Sequence, residues 1–374
     1  YVAHMYYGKY LDERDLRYLL REDEAPLVPS VNLREKGAFL DCAAFEYPET
    51  GMGDYRESAF CVRSQDGHRA SELVYTGYEI MEGKPALEGL PSVWGKKEEC
   101  ATLKIFCLDR LLGIKVTLLY SVMEDSDAVI RSVFVENQGK ESVYLEKVLS
   151  ACLDMDDRNF QVLGLFGSWA RDRHIQRMPL GYGRQNIASL KGESSHQEHP
   201  FMALVTPGTT QETGEVYGMN FVYSGNFIAQ AEKSQFDSVR MTMGIHPEGF
   251  TWKLEPGEHF TAPEVVMVYS DQGLGKMTRT YHDLYRQHLI RSPYLHKKRP
   301  ILINNWEATY FDFDEKKLLE IAKEAAELGI EMLVMDDGWF GKRNLDDSSL
   351  GDWFVNEEKI KGGLNNLVEN VKKL

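Results

Sequence analysis

The sequence lacks several features that define large classes of proteins. No stretch of its 374 residues reaches the run of about 18 apolar residues that a membrane-spanning helix needs. The first residues, YVAHMYYGKY, lack the basic segment, apolar core and cleavage site of an export signal. Acidic residues outnumber lysine and arginine by 58 to 43, which gives a net charge of -15 that no basic cluster offsets. We therefore predict a protein that binds neither nucleic acid nor a membrane.

Cysteine is scarce, and its pattern is not that of a metal site or a disulfide framework. No CxxC is present, and no histidine stands at metal-ligand spacing from a cysteine. We predict small buried free thiols in a reducing cytoplasm, with a single disulfide as the alternative. The cysteines are Cys42, Cys61, Cys100, Cys107 and Cys152.

The histidines suggest a metal site only weakly. His4, His174, His196 and His199 are scattered, and no carboxylate or cysteine accompanies them at ligand spacing. We expect structural histidines, and we predict no metal and no cofactor.

The chain is too long for one ordinary core, and its first 270 residues have the period of β-strands. Along residues 239–245, for example, apolar residues alternate with polar or small ones, which places the apolar set on one face. The stretch from Val129 to Leu153 reads as two strands joined through a turn at 137–139. Many such strands without intervening helices predict a large antiparallel β-sandwich over residues 1–270.

The pattern changes after Ser270. A helical stripe of apolar residues runs from Leu274 to Leu289, and RSPYLHKKRP follows it, so residues 271–298 are predicted to form a helical linker. From 299 to 374 the segments ILINN and MLVM alternate with two amphipathic helices, the first capped by Asp314 and Gly329. This order predicts the first two βα units of a (β/α)8 barrel, a fold of about 250 residues, so we expect the barrel to be incomplete here.

Unusual polar and aromatic residues follow both short strands. Asn304, Asn305 and Trp306 come after the first, and Asp336 and Asp337 after the second. In parallel α/β barrels, functional residues lie at these carboxyl ends. A sugar ring stacks its C–H face on indole while its hydroxyls donate to carboxylates, so this set indicates a sugar site. The alternatives are a helix cap or a Mg²⁺ site for the aspartates, and core packing for Trp306 and for Trp339.

These residues belong to longer stretches that resemble a known family. The segment from NNWEATYFDF through MLVMDDGWFGKRN, followed by SSLGDWFVNEEK, is similar to the start of the catalytic barrel in glycoside hydrolase family 36, the bacterial α-galactosidases. The segments GDYRESAF, SWARDRHIQRMPL, SSHQEHPF and VYSGNF resemble the N-terminal β-sandwich of that family. The resemblance covers nearly the whole chain.

The resemblance implies a retaining glycosidase that removes terminal α-linked galactose from melibiose or raffinose. It implies a β-sandwich, a (β/α)8 barrel and a small C-terminal β domain in a cytoplasmic homotetramer. By the family pattern, Asp336 and Asp337 bind galactose hydroxyls and Trp306 forms part of the pocket wall. Trp169 matches an aromatic residue that the family's tetramers deliver into a neighbouring subunit's pocket.

The catalytic residues of the family have no counterpart in this sequence. A retaining glycosidase needs two carboxylates about 5 to 5.5 Å apart. In the resembling family the nucleophile follows a Lys-Trp-Asp-type motif, which is absent from the 374 residues, and the acid/base lies beyond it. Asp336 and Asp337 are adjacent on a strand end and point apart, so they cannot replace this pair. We predict no catalytic residue in the chain and no hydrolysis by the chain alone.

Two other readings remain open from the sequence. The sandwich could be a non-catalytic carbohydrate-binding or oligomerisation module. Binding of galactosides in the absence of a barrel would favour this alternative. The protein could also be a galactosyltransferase of the raffinose or stachyose synthase type. The sandwich motifs argue against this, because they resemble those of the bacterial α-galactosidases.

Overall fold

The computed structural model describes residues 1–12, 15–19, 40 and 43–374, which form two compact units, Tyr1–Ile290 and Arg291–Leu374. Cys42 lies outside the described residues. The remaining cysteines are free and buried, as predicted. None of the helices in the described ranges is long and apolar enough to cross a membrane.

The first unit is built almost entirely of strands, with one short 3-10 helix at Leu16–Leu19 and one long helix at its end. Its elements are β1 (Phe60–Arg63), β2 (Val74–Glu82), β3 (Cys100–Asp109), β4 (Ile114–Met123), β5 (Ala128–Asn137), β6 (Val143–Asp156), β7 (Gln161–Ser168), β8 (Arg171–Pro179), β9 (Gly183–Ser189), β10 (Glu198–Val205), β11 (Val216–Val222), β12 (Phe227–Lys233), β13 (Ser238–Ile245), β14 (Trp252–Leu254), β15 (His259–Thr261), β16 (Glu264–Ser270) and α1 (Gly273–His288).

These strands form two large antiparallel sheets, which confirms the predicted mainly β fold. The smaller sheet has the order β1-β6-β13-β12, with β14 also paired to β6. The larger has the order β2-β3-β4-β5-β16-β11-β10-β7-β8, with β15 also paired to β5. The strand β9 contacts β12 and β10.

The main core lies between the two sheets, and β13 shows how the sequence builds it. Val239, Met241 and Met243 are fully buried among apolar residues of β10, β11 and β16, so the predicted apolar face is confirmed. Arg240 and Thr242, on the other face of the strand, are buried as well. The alternation therefore separates an apolar face from a buried polar one.

The predicted pair of strands around 137–139 is present, but the two strands belong to different sheets. β5 lies in the larger sheet and β6 in the smaller one. Asn137 shapes the connection, because its Nδ2 donates to the carbonyl of Glu141 and its Oδ1 accepts from the N–H of Gly139. The turn therefore carries the chain from one layer to the other.

The helix α1 packs on the outer face of the larger sheet. Its apolar stripe, predicted from the sequence, is buried against β11 and β16 at Leu274, Met277, Tyr281 and Leu284. The two compact units divide between Ile290 and Arg291, so α1 lies with the sandwich.

A network of buried charges underlies the polar face of β13. The guanidinium of Arg240 donates to Asp154 at 2.7 Å through both Nε and Nη2, and to Asp54 at 2.7 Å. Arg56 donates to Asp54 at 2.9 Å through both Nε and Nη2, so these two residues also form a buried ion pair. Burial raises the pKa of Asp54, but the hydrogen bonds and charges of Arg56 and Arg240 outweigh it and hold that pKa below its ordinary value.

The second unit contains a pair of parallel strands and three helices. Its elements are β17 (Leu302–Asn304), α2 (Trp306–Thr309), α3 (Glu315–Glu327), β18 (Met332–Val334) and α4 (Gly363–Lys372). β17 and β18 pair in parallel, as the strand–helix–strand order predicts. A small core forms around Phe313, Leu318, Ile360 and Leu367.

Both predicted caps of α3 are present. The side chain of Asp314 accepts from the N–H of Lys317 at 2.9 Å. Gly329 has φ +79°, and the N–H groups of Gly329 and Ile330 bond the carbonyls of Ala326 and Ala325, the arrangement of a Schellman motif. These caps fix where α3 begins and ends between the two strands.

The charge network yields a prediction about stability. Asp154→Ala leaves the buried Arg240 without its main partner, and we expect a loss of about 3 to 5 kcal/mol in the free energy of unfolding. The matched control is Asp127→Ala, which removes an exposed partner of Lys276 and is expected to cost less than about 1 kcal/mol. Urea denaturation of both variants measures the difference. Equal losses would contradict a structural role for the network.

Candidate functional site

Hydrogen bonds of Asn305 join the carboxyl ends of β17 and β18. Asn305 is fully buried, and its backbone N–H bonds the carbonyl of Val334. Its side-chain Oδ1 accepts from the N–H of Asp336 at 2.8 Å, and its Nδ2 donates to Thr309 Oγ1 at 2.9 Å. Because a buried amide is costly to leave unpaired, these bonds fix the start of α2 against the end of β18 and against Asp336 just beyond it.

Asn304 brings Trp306 and Asp336 together. Its Nδ2 donates to Asp336 Oδ2 at 2.6 Å, and its Oδ1 accepts from the N–H of Trp306 at 2.8 Å. One amide side chain therefore sets the position of the carboxylate and of the residue that carries the indole.

The indole of Trp306 is held by its aromatic neighbours. Its ring lies 5.2 Å from Tyr310 and 5.0 Å from Phe311, both in edge-to-face geometry, and it is half-buried. Tyr310 itself has φ +48° and ψ -129°, a strained conformation for a bulky residue. Trp339 differs from Trp306, since its side chain packs against the small core of the second unit. The backbone of Trp306 is linked to Asp336 through the side chain of Asn304.

Asp337 is held by an arginine that the sequence did not single out. Arg343 Nε donates to Asp337 Oδ1 at 2.5 Å, and the N–H of Gly338 donates to the same oxygen at 2.7 Å. The hydrogen bond from Arg343 is the main cause that lowers the pKa of Asp337 below its ordinary value, against a smaller opposing effect of burial. Asp337 is therefore an ionised carboxylate at neutral pH.

Arg343 also organises the loop that follows the site. Its side chain is buried, and its Nη1 donates to the backbone carbonyls of Leu345, Asp346 and Ser348. Lys359 adds a second anchor, since its Nζ donates to the carbonyls of Phe311 and Gly338 at 2.8 and 3.0 Å. Burial lowers the pKa of Lys359. Arg343 and Lys359 thus fix the loops that surround the Asp337 carboxylate.

This arrangement suits hydrogen-bond acceptance more than proton donation. Asp336 accepts from Asn304 at Oδ2 and from the N–H of Asp337 at Oδ1. Asp337 Oδ2 accepts no hydrogen bond from the described residues, so it is open to a ligand hydroxyl. A carboxylate with a lowered pKa is a poor general acid at neutral pH, because it is rarely protonated.

Trp169 lies in the first unit, at the tip of the β7–β8 hairpin. Ser168 pairs with Arg171, so Trp169 and Ala170 form the turn, in which Ala170 has φ +58°. The side chain of Trp169 is 86% exposed. β8 is the edge strand of the larger sheet and is exposed along nearly its whole length.

The described residues contain no group of three or more His, Cys, Asp or Glu side chains arranged to hold a metal ion. His4 instead pairs with Glu46 at 2.6 Å. The pKa of His199 is lowered, first by burial and then by the charge of Arg173. His4 and His199 therefore interact with neighbouring side chains of the fold.

Asp336, Asp337 and Trp306, which the sequence singled out, lie together at the strand ends, but the sequence did not point to Arg343 or Lys359. Arg343 and Lys359 both lie in loops, outside any helix or strand. No helix or strand period therefore relates their positions along the chain to that of Asp337. The one available signal was that GKRN places basic residues directly after an acidic strand end.

A β-sandwich followed by parallel βα units, with carboxylates and an indole at the strand ends, has the groups that a carbohydrate-active protein uses to bind a sugar. Two family models match this chain: the glycosyl hydrolase family 36 N-terminal domain over residues 1–255, and melibiase over residues 259–374. The chain belongs to glycoside hydrolase family 36.

Its relatives are α-galactosidases. The chain is 47% identical to α-galactosidase AgaA of Geobacillus stearothermophilus, covering 100% of this chain and 51% of the relative. It is 44% identical to the bifunctional α-galactosidase/sucrose kinase AgaSK of Mediterraneibacter gnavus, covering 99% of this chain and 40% of the relative. The chain therefore spans about half the length of the curated relatives it matches.

Solved structures agree with this relationship. A crystal structure of an AgaA variant from Geobacillus stearothermophilus in complex with raffinose matches with a TM-score of 0.94 and 46% identity, over 99% of this chain and 52% of that one. The α-galactosidase of Lactobacillus brevis matches with a TM-score of 0.94 and 39% identity, over 99% of this chain and 50% of that one.

The pair of Arg343 and Asp337 yields a prediction about pH. A carboxylate whose pKa is lowered stays ionised until the pH falls through that low value. In Arg343→Gln the main cause of the lowering is gone, so we expect Asp337 to protonate at higher pH, nearer the ordinary value of about 3.9. Titration of the ¹³C carboxyl resonance by NMR measures this.

The control for this titration is Lys316→Gln, which removes an exposed cation from the same unit and should leave Asp337 unchanged. Arg343→Lys keeps the charge without the guanidinium geometry and should give an intermediate result. An Asp337 titration that is the same in the parent and in Arg343→Gln would refute the proposed control by Arg343.

Proposed function

We propose that this chain supplies the galactose-binding part of an α-galactosidase that hydrolyses terminal α-linked galactose from oligosaccharides such as raffinose and melibiose, with retention of configuration. The observation that carries the proposal is the joint placement of Asp336, Asp337 and Trp306 at the ends of two neighbouring parallel strands. Two related structures are described as complexes with raffinose and with stachyose, both of which contain galactose.

Binding of a galactosyl unit follows from the chemistry of these groups. Asp336 and Asp337 accept hydrogen bonds from sugar hydroxyls, and a charged acceptor makes such bonds shorter and stronger than a neutral one does. Trp306 offers an apolar ring surface to the C–H face of the sugar. A site that bonds particular hydroxyls rejects epimers that lack them in that position, since the buried acceptors would stay unpaired.

The strand pair serves as the beginning of a (β/α)8 barrel. Its parallel register and the capped helix α3 between the strands support this proposal. In such a barrel the site residues lie on the carboxyl-terminal face, together with residues from the other strands.

The reaction itself requires carboxylates outside this set. A retaining mechanism places a nucleophile and an acid/base on either side of one bond. Asp337 is fixed as an ionised acceptor by Arg343, and Asp336 by Asn304 and the N–H of Asp337. The 374 residues include no Lys-Trp-Asp segment. We therefore assign binding to the two aspartates and no catalytic residue to this chain.

We also propose that the protein assembles as a homotetramer in the cytoplasm. Trp169 is 86% exposed at a hairpin tip and offers a large apolar ring with a polar N–H, so it is suited to enter the sugar pocket of a neighbouring copy in a homotetramer. Free buried thiols at Cys61, Cys100, Cys107 and Cys152 are compatible with the reducing cytoplasm.

Galactose binding by the chain tests the role of the aspartates. We expect isothermal titration to detect galactose binding, and Asp337→Asn to weaken it about 10- to 100-fold, because a charged hydrogen bond to a hydroxyl is lost. Glu320→Gln, an exposed change on α3, is the control and should bind as the parent does. Equal affinity in Asp337→Asn and in the control would contradict the assignment.

Turnover by the chain tests the division between binding and cleavage. We expect the 374-residue chain to release no aryl group from an aryl α-galactoside above the rate without protein, since it lacks both carboxylates of the catalytic pair. A colorimetric assay at high protein concentration measures this, and the intact AgaA enzyme serves as the positive control. Measurable turnover that disappears in Asp337→Asn would place the chemistry at Asp337 and refute the assignment.

A further inference from the structure

A groove lies on the outer face of the larger sheet, in the first unit. It has a volume of about 460 Å³ and lies over β3, β4, β5 and β15, with residues 85–88 along one side. The helix α1 packs on the same sheet at β11 and β16. The groove is therefore a separate feature of the sandwich.

The floor of the groove contains one aligned row of aromatic and hydroxyl side chains. In the strand register, Phe106 pairs with Thr117, Thr117 with Phe134, and Phe134 with Thr261. The backbone positions that carry these two half-buried rings thus lie two strands apart, about 10 Å at the usual spacing of β-strands. That separation is comparable to the length of two or three linked sugar rings.

The rings are fixed by their neighbours. The Lys115 ammonium lies 5.0 Å from the centre of the Phe106 ring, and His259 lies 5.0 Å from Phe134 with the two rings 31° from parallel. On β2 the residue opposite Phe106 is Gly77, which has no side chain to cover the ring. Lys115 and His259 therefore hold the two rings in place before any ligand arrives, and each occupies one side of its ring.

Both lysines that line the groove are already paired with carboxylates. Lys104 lies 3.6 Å from Glu79, and Lys115 lies 3.1 Å from Glu136. No other lysine and no arginine lines the groove among the described residues. The groove therefore offers hydrogen-bonding groups without a free cation for an anionic ligand, which favours a neutral polar one.

One side of the groove is anchored in the core. Lys84, next to residues 85–88, forms a buried ion pair with Glu264, and the other oxygen of Glu264 accepts from the N–H of Val93 at 2.7 Å. Because this wall is fixed, less conformational entropy is lost when a ligand binds beside it.

We propose that this groove is a second saccharide site that binds a neutral oligosaccharide. It lies outside the site formed by Asp336, Asp337 and Trp306 in the second unit, here called the strand-end site. Sugar rings lay their C–H faces on Phe106 and Phe134, while their hydroxyls bond Thr261, Glu136 and the paired lysines. The site goes beyond the proposed galactosidase function, since none of its residues belongs to the strand-end site. It would retain an oligosaccharide substrate near the protein.

The test uses the chain with Asp336→Asn and Asp337→Asn, so that the strand-end site is disabled, and raffinose as the probe. Ligand-observed saturation-transfer NMR should still detect raffinose on this background. Adding Phe106→Ala or Phe134→Ala should weaken the binding about fivefold or more, as expected for loss of one stacked ring. Tyr78→Ala, which removes an exposed aromatic side chain of β2 that does not line the groove, is the matched control and should have no effect.

Phe106→Leu guards against misfolding, because it keeps apolar volume but removes the flat ring, and it should also weaken binding. Loss of the raffinose signal on the doubly substituted background would overturn the proposal, as would equal binding by the Phe106, Phe134 and Tyr78 variants. A change in sedimentation caused by Phe106→Ala without any sugar binding would show a contact between copies of the chain, and would overturn it too. None of these outcomes depends on whether Asp336 and Asp337 bind galactose.

Discussion

The strand-end site depends on the ion pair between Arg343 and Asp337. Arg343 stays protonated at every accessible pH, and its planar guanidinium bonds one carboxylate oxygen and three backbone carbonyls at once. The orientation of Asp337, its ionised state and the path of the loop after it therefore have one cause. Removing the guanidinium would release the loop as well as the carboxylate, which distinguishes this pair from a surface salt bridge of small effect.

The two units of the chain are stabilised in different ways. The sandwich buries extensive apolar surface between its sheets and adds a fully buried charge network on the far side of β13. The second unit has one small apolar cluster, and its site is held largely by side chains that bond backbone groups, as in Asn305 and Lys359. Polar anchors of this kind position ligand-binding oxygens well, because each bond has a preferred direction.

The features predictable from the sequence were local ones. The alternation along β13, the cap at Asp314 and the left-handed Gly329 each depend on residues within one turn or strand, and the structure confirms them. Contacts between distant segments were not predictable in this way. The turn after Asn137 has the composition of a hairpin, yet it joins two sheets, since strand pairing is decided by what packs on each face. Arg343 was missed because an ion pair across a loop leaves no periodic trace in the sequence.

The central claim is that Asp336, Asp337 and Trp306 hold a galactosyl unit without cleaving it. Within the strand-end site, the carboxylates of Asp336 and Asp337 both act as hydrogen-bond acceptors. This role suits recognition of sugar hydroxyls, whereas proton transfer to a leaving group needs a protonated carboxyl. The most direct measurement is a crystal structure of the chain with raffinose. The account predicts uncleaved raffinose whose galactosyl hydroxyls bond Asp336 and Asp337 and whose galactosyl ring lies against Trp306. Free galactose in the site, or raffinose bound in the second unit away from these three side chains, would contradict it.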